Sequence, residues 1–182
     1  MKFIFFFILL LPQTCIHAQQ KIPPGDHTDN FKITNGKLSW EKAYTSDLSY
    51  KEVVANVKSA GVIDDINTSS SSTITGNVQP FRASLKELGL TSNNTKMYIS
   101  SMEFKGVVTI KKTSEGYHVV FDQLFAQTPK GTSFMKNDFS EKAYPIELYT
   151  IKKGDFDSKK FKGEPAYILN YTFNNIFEPL FY

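Results

Sequence analysis

Alternating apolar and polar residues predict β-strands along much of this chain, and apolar residues spaced three and four apart predict two helices. The dipeptide Asn35-Gly36 separates two short alternating runs and favours the type I′ turn of a hairpin. On the second run Leu38, Trp40 and Tyr44 share one face, so we expect the tryptophan in the core.

A first helix is predicted directly after Ser49. Ser49 and Glu52 have the spacing of a capping box, in which each side chain bonds the backbone N–H of the other residue. Val53 and Val57 belong to an apolar stripe, and Gly61 suits the left-handed conformation that ends a helix. One amphipathic helix is therefore expected between the cap and this glycine.

The segment 62–83 predicts a second hairpin, with an exposed tip in the serine run 69–72. Gly76 interrupts the returning strand, as a bulge or the close approach of another backbone requires. Pro80 lacks a backbone N–H and is expected to end that strand. Residues 84–95 contain glycine, serine and two asparagines and predict a loop.

The clearest strand signals are the runs 102–112 and 117–126, which predict a central hairpin. Strict alternation places Tyr117, Val119, Phe121 and Phe125 on one face, and His118, Val120, Asp122 and Leu124 on the other. The first face is expected to be buried beneath helices, and the second face is mixed in character.

The C-terminal part predicts a polar loop over 128–142, a last strand over 144–151 and a second helix over 164–177, which Pro179 ends. The order strand, helix, four strands, helix predicts an α+β domain, with an antiparallel sheet and helices packed on one of its faces. An open barrel around a ligand cavity is the alternative, although a barrel has less use for a terminal helix.

Several of these segments resemble a group of exported Bacteroidetes proteins that are uncharacterised. The matching stretches are NGKLSWEKAY at 35–44, the helix at 48–57, the strand around Gly76, FKGVVTI at 104–110 and EGYHV at 115–119. That group is similar to a domain of unknown function with a fold like that of the TATA-binding protein. The resemblance implies this fold with its order strand, helix, four strands, helix. It implies no catalytic or binding residue and does not imply DNA binding, because a fold does not determine a function.

Residues 1–18 have the features of a signal peptide for export. Lys2 precedes an apolar run over 3–11, and Ala18 is the small residue expected at a cleavage site. The run is shorter than the roughly 20 residues that cross a bilayer, so no transmembrane segment is expected and the cleaved chain should be soluble. Residues 19–30 predict a flexible leader, and residues 31–182 a single α+β domain.

Cys15 lies inside this signal and is the chain's one cysteine. Pro12 and Thr14 do not fit the pattern that precedes a lipid-bearing cysteine, but whether Cys15 carries a lipid stays open. Cleavage after Ala18 leaves a chain without thiol, disulfide or cysteine metal ligand.

Composition argues against a nucleic-acid partner. The chain has 21 basic and 18 acidic residues and a formal net charge of +3, and its short lysine clusters lie beside acids or turn signals. We expect no nucleic-acid partner and no cofactor.

Candidate chemistry is sparse, and we assign no catalytic, cofactor-binding or metal-binding residue. His118 and Asp122 share a strand face without a nucleophile. The pair Asp64-Asp65 lacks the glycine-centred loop of a calcium site. Ser133 and Lys136 match a Ser-x-x-Lys motif, but the other motifs of those enzymes are not in the required order.

We therefore expect an exported protein of the periplasm or cell surface that binds a partner protein, a glycan or a small ligand without catalysis. The alternative is an exported hydrolase using carboxylates such as Glu103, Asp122 or Glu147. A third hypothesis is association with a membrane surface through the apolar tail 177–182.

Overall fold

The computed structural model describes residues 22–68, 70–129 and 142–182. The predicted signal peptide with Cys15 and the Ser133-x-x-Lys136 motif lie outside the described residues. Within these ranges, no helix is both long enough and apolar enough to cross a bilayer.

The described residues form nine strands and four α-helices. The strands are β1 (Phe31–Thr34), β2 (Lys37–Thr45), β3 (Ile63–Asn67), β4 (Thr73–Arg82), β5 (Glu103–Lys112), β6 (Gly116–Gln127), β7 (Ala143–Pro145), β8 (Ile151–Lys152) and β9 (Asp155–Phe156). The α-helices are α1 (Tyr50–Ala60), α2 (Met97–Ser101), α3 (Glu147–Thr150) and α4 (Glu164–Phe177), and short 3₁₀ turns lie at Ser92–Asn94 and Glu178–Phe181.

The main sheet is antiparallel throughout, with the strand order β1-β2-β6-β5-β4-β3. Strand β7 pairs with the last residues of β6. It lies on the same side of β6 as β2, which pairs with the earlier residues of that strand. Strands β8 and β9 form a separate two-stranded ribbon. The predicted α+β class with an antiparallel sheet is confirmed.

The turn and cap predicted near the N-terminus are confirmed. Asn35 and Gly36 have φ angles of 52° and 74°, as a type I′ turn between β1 and β2 requires. Ser49 accepts a bond from the Glu52 N–H while the Glu52 carboxylate accepts one from the Ser49 N–H. Gly61, at φ 65°, ends α1 in the left-handed conformation.

Aromatic rings join the sheet to α4. Trp40 of β2 and Phe121 of β6 are fully buried, and both contact Phe173 and Phe177 of α4 at centroid distances of 5.1–5.8 Å. The indole N–H of Trp40 donates to the amide oxygen of Asn170 at 2.8 Å, so its polar atom is satisfied inside the core. The prediction that helices cover the apolar face of the sheet is confirmed.

The segment predicted as a flexible leader makes contacts where it is described. Asp26 pairs with Lys162 at 3.2 Å, and its carbonyl accepts the Gly163 N–H at 2.9 Å. The His27 ring meets Tyr167 of α4 edge to face at 5.0 Å. From residue 22 onward this segment therefore lies against the start of α4, which the polar Pro-Gly composition did not indicate.

Three local predictions differ from the structure. Pro80 does not end β4. It lies at a register shift between Val78 and Phe81, where pairing with β5 requires no backbone N–H from residue 80. Helix α2 was not predicted, since five residues are too few to show a helical period. The segment 144–151 is not one strand: after β7 it turns into α3, and β8 begins only at Ile151.

The C-terminal tail packs on the inner face of the sheet. Phe181 is 1% exposed and stacks on Tyr44 and Tyr117 at 4.8 and 5.3 Å. Leu180 is 2% exposed, and its carbonyl accepts a bond from Asn56 of α1 at 3.1 Å. The hypothesis of a membrane-binding tail loses its basis, because the apolar side chains it needs are in the core.

Phe181→Ala should lower the free energy of unfolding by about 3–5 kcal/mol, because it removes a fully buried ring that stacks on two others. Urea unfolding measures this change. Tyr182→Ala is the matched control, since that side chain is 75% exposed and its removal should cost less than about 0.5 kcal/mol. Equal losses in the two variants would contradict the packing of the tail.

Candidate functional site

A β-bulge in β6 controls the outer face of the sheet, the face opposite α4. Lys105 of β5 pairs with Phe125 and Val107 with Asp122, so Gly106 alone faces two residues of β6. Gln123 takes the left-handed conformation at φ 48° within the bulge.

Gly106 is the residue that makes room for this bulge. A Cβ on Gly106 would lie 2.6 Å from the Asp122 carbonyl oxygen and 2.9 Å from the Phe121 ring. No side chain fits at those distances, so the close approach of the two strands requires glycine here.

The bulge corrects the predicted faces of β6. Leu124, expected on the outer face, is 1% exposed in the core, and Phe125, expected in the core, lies half-buried on the outer face. One extra residue shifts the alternation by one position, so every side chain after Gln123 changes face. Tyr117, Val119 and Phe121 precede the bulge and are buried as predicted.

The neighbouring strands separate at the same point. Strand β2 pairs with β6 as far as Phe121, and β7 pairs with it again from Phe125. Between them the Leu38 N–H donates to the Glu147 carboxylate at 3.1 Å, and the Ile146 N–H donates to the Leu124 carbonyl at 3.0 Å. The ladder is thus interrupted over Asp122–Leu124 without leaving the Leu38 N–H unbonded.

A cleft of about 540 Å³ lies in this interruption. We call it the β2–β7 cleft; its lining includes Ser39, Glu41, Val120, Asp122, Phe125 and Glu147. It combines an apolar wall with convergent carboxylates, which is the composition of small-molecule sites.

Of the three carboxylates in the cleft, only that of Asp122 has no hydrogen-bond or ion-pair partner among the residues that the structure describes. Glu41 pairs with Lys32 at 2.5 Å and lies 3.7 Å from His118. Glu147 accepts a hydrogen bond from the Leu38 N–H. Across the described part of the chain, no side-chain hydrogen bond or ion pair reaches Asp122. Burial raises the pKa of Asp122 above its ordinary value.

A second cleft, of about 460 Å³, lies beside the first on β3, β4 and β5. We call it the β3–β5 cleft; its lining includes Asp64, Asp65, Asn77, Gln79, Lys105 and Phe125. Register shifts in β3 after Asp64, in β4 after Val78 and in β6 opposite Gly106 all fall around it. Bulges are frequent next to functional sites because they redirect side chains.

The structure separates the candidate residues named from the sequence. Asp122 and Glu147 line the same cleft, whereas Glu103 lies 3.5 Å from Arg82 and lines neither cleft. His118 approaches Glu41 rather than Asp122.

Asp64 and Asp65 are bonded by side-chain amides. Asp64 accepts from Gln79 at 3.0 Å, and Asp65 accepts from Asn77 at 2.9 Å. No cluster of three or more potential ligands that could hold a metal occurs among the residues that the structure describes.

Phe125 is the site residue that the sequence interpretation placed on the wrong face of the sheet. The available signal was Gly106 in the middle of a β-rich run, since an isolated strand glycine is typical of a bulge or a close approach.

Comparison with solved structures finds a similarity to a TBP-like protein from Parabacteroides distasonis ATCC 8503. The identity is 15% and the TM-score 0.49, over 82% of this chain and 96% of that chain. The description of that protein as TBP-like agrees with the resemblance noted from the sequence. No protein-family model and no curated protein matches the chain. At this identity and TM-score the similarity carries no conclusion about function. The fold class is assigned from the strand order and the placement of the helices described above.

Asp122→Asn should raise the free energy of unfolding at pH 7. A raised pKa in the folded state means that the stability contributed by this group is present below the unfolded pKa and is lost as pH rises through the folded pKa. Because asparagine does not ionise, the variant does not lose this stability at pH 7. The gain in the free energy of unfolding should be less than about 1 kcal/mol, because the Asp122 carboxylate is partly exposed to solvent.

Urea unfolding at pH 7 and at about pH 3 measures this effect, since the difference should vanish where Asp122 is protonated in both states. Asp47→Asn is the control, because Asp47 is exposed and lines neither cleft. An Asp122→Asn variant less stable than the wild type at pH 7 would show that the carboxylate has a structural role.

Proposed function

We propose that this protein is an exported, non-catalytic binding protein that holds a small polar ligand in the β2–β7 cleft. The observation that carries the proposal is Asp122, a partly desolvated carboxylate that lines a cleft and has no partner among the described residues. A partner from solution that donates a hydrogen bond or carries positive charge would compensate it.

The dimensions and walls of the cleft support a small molecule as the ligand. Its volume of about 540 Å³ lies within the range of roughly 300–1,000 Å³ found for such sites. Val120 and Phe125 supply apolar contact, and Asp122 supplies the polar group that would orient a ligand.

The charge of the cleft argues against a nucleic acid. Glu41, Asp122 and Glu147 line it together with one lysine, Lys37, so a phosphate backbone would meet mainly carboxylates. The near-neutral net charge of +3 supports the same conclusion.

Export is part of the proposal and rests on the N-terminal sequence. The basic Lys2, the apolar run 3–11 and the small residue Ala18 are the supporting features. The expected location is the periplasm or the cell surface, where an envelope protein, a glycan or a small ligand is available. Fractionation of cells that express the full chain tests this location.

A carboxylate-dependent hydrolase is the second candidate. The favouring observation is that Asp122, whose pKa is raised, shares a cleft with Glu147. A protonated Asp122 would serve as a general acid, and Glu147 would be the second carboxylate. The bond from Leu38 to Glu147 weakens this candidate, because it commits that carboxylate to the backbone.

Small compounds should perturb the cleft in NMR spectra of the ¹⁵N-labelled protein. A library divided into cationic, neutral polyhydroxy and anionic fragments is titrated, and shifts are expected at the amides of Asp122, Gln123 and Leu38. Asp122→Asn should weaken binding roughly ten-fold, as expected for loss of a charged hydrogen-bond partner, while Asp47→Asn should not. No shift at these amides with any fragment class would contradict the binding proposal.

Hydrolysis of aryl glycosides and aryl esters separates the two candidates. For a binding protein, the wild type and Asp122→Asn should give the same background rate of chromophore release. A wild-type rate that falls 100-fold or more in Asp122→Asn would establish the hydrolase instead, since general acid catalysis contributes at least that much.

A further inference from the structure

The two clefts adjoin at the β6 bulge. Gln123 and Phe125, at the β6 bulge, line both the β2–β7 cleft and the β3–β5 cleft. The Phe125 ring is half-buried, and its apolar surface lies where the two clefts meet. A linear molecule placed across Phe125 would therefore enter both clefts.

Carboxylates exceed cations in each cleft. In the β2–β7 cleft Glu41 is paired with Lys32, which leaves Asp122 and Glu147 against Lys37. The β3–β5 cleft has Asp64 and Asp65 against Lys105. Excess negative charge of this kind favours a positively charged ligand.

The hydrogen bonds inside the clefts do not remove this excess. Asp64 and Asp65 accept their side-chain bonds from the neutral amides of Gln79 and Asn77. Asp122 has no side-chain partner among the described residues. In both clefts, carboxylate oxygens are therefore left for a ligand that brings its own positive charge.

We propose that the ligand is a linear aliphatic di- or polyamine that spans both clefts. One ammonium group binds Asp122, another binds Asp65, and the methylene chain between them lies on Phe125. This inference rests on the proposed binding function and specifies its ligand class. The methylene chain of the ligand gains binding free energy from apolar contact with the Phe125 ring. An ammonium group that lies near the ring adds a cation–π attraction.

Three other ligand classes fit these observations less well. A neutral polyol would leave the carboxylate charges uncompensated. A single metal ion fits less well, because no cluster of three or more potential metal ligands occurs among the residues that the structure describes. A basic peptide would supply the charge, but the adjoining clefts, of about 540 and 460 Å³, are of small-molecule size.

Isothermal titration with α,ω-diamines of increasing length, and with monoamines of matched length, tests the spanning geometry. Affinity should pass through a maximum at one diamine length, and the best diamine should bind at least ten-fold more tightly than its monoamine. Binding should weaken as salt is raised, because the attraction is between charges at the surface.

Variants at the two ends supply the second test. Asp122→Asn and Asp65→Asn should each weaken the best diamine roughly ten-fold. Asn suits both positions: it keeps the shape of Asp122, tolerates the left-handed backbone of Asp65 at φ 50° and can still accept from Asn77. Asp47→Asn is the charge-matched control and should bind as the wild type does. Phe125→Leu should weaken diamines more than it weakens monoamines.

Diamines that bind no more tightly than monoamines, or affinity unchanged in Asp65→Asn, would overturn the spanning ligand. A basic nonapeptide that binds more tightly than every diamine would overturn the small-molecule assignment. If a neutral fragment perturbs the β2–β7 cleft in an Asp122-dependent way while no amine binds, this inference fails and the proposed binding function stands. If no fragment of any class binds there, both fail.

Discussion

The close approach of β5 and β6 at Gly106 is the constraint on which the outer face of this sheet depends. Because a side chain at Gly106 would collide with the Asp122 carbonyl and the Phe121 ring, β6 can place an extra residue there only opposite a glycine. That extra residue reverses the alternation of β6. It buries Leu124 and turns Phe125 outward.

The interruption of the β2–β6 ladder accompanies this bulge. A strand pair that separates normally leaves backbone N–H groups without acceptors, which is costly when they are buried. Here the Glu147 carboxylate accepts the Leu38 N–H, and β7 resumes pairing with β6 two residues beyond the bulge. Glu147 thus has a structural role that its sequence context did not indicate. Asp122 is left as the cleft carboxylate without a hydrogen-bond or ion-pair partner among the described residues.

The two faces of the sheet are consequently very different. On the inner face, Trp40, Phe121, Phe173 and Phe177 pack ring against ring, and Asn170 satisfies the indole N–H. On the outer face, carboxylates lie around one aromatic ring, that of Phe125. Glu41 is paired with Lys32, Asp64 and Asp65 accept from neutral amides, and Asp122 has no side-chain partner among the described residues. A rigid, fully satisfied core can support a surface whose charges are not mutually compensated, and such surfaces are where binding is expected.

The sequence by itself determined the elements that depend on neighbouring residues. The Asn35-Gly36 turn, the Ser49–Glu52 cap with Gly61, the central hairpin and the terminal helix depend on local backbone preferences and on periodic burial, and these were predicted. From them the α+β class with helices on one face followed. Only the tertiary structure decided the site, since the positions of Phe125, Glu147 and Asp122 depend on how far β2, β7 and β5 lie from β6. Gly106 is a sequence signal of a bulge, but alternation along β6 does not show which residues lie opposite that glycine. The outer face was therefore assigned only once the register between β5 and β6 was known.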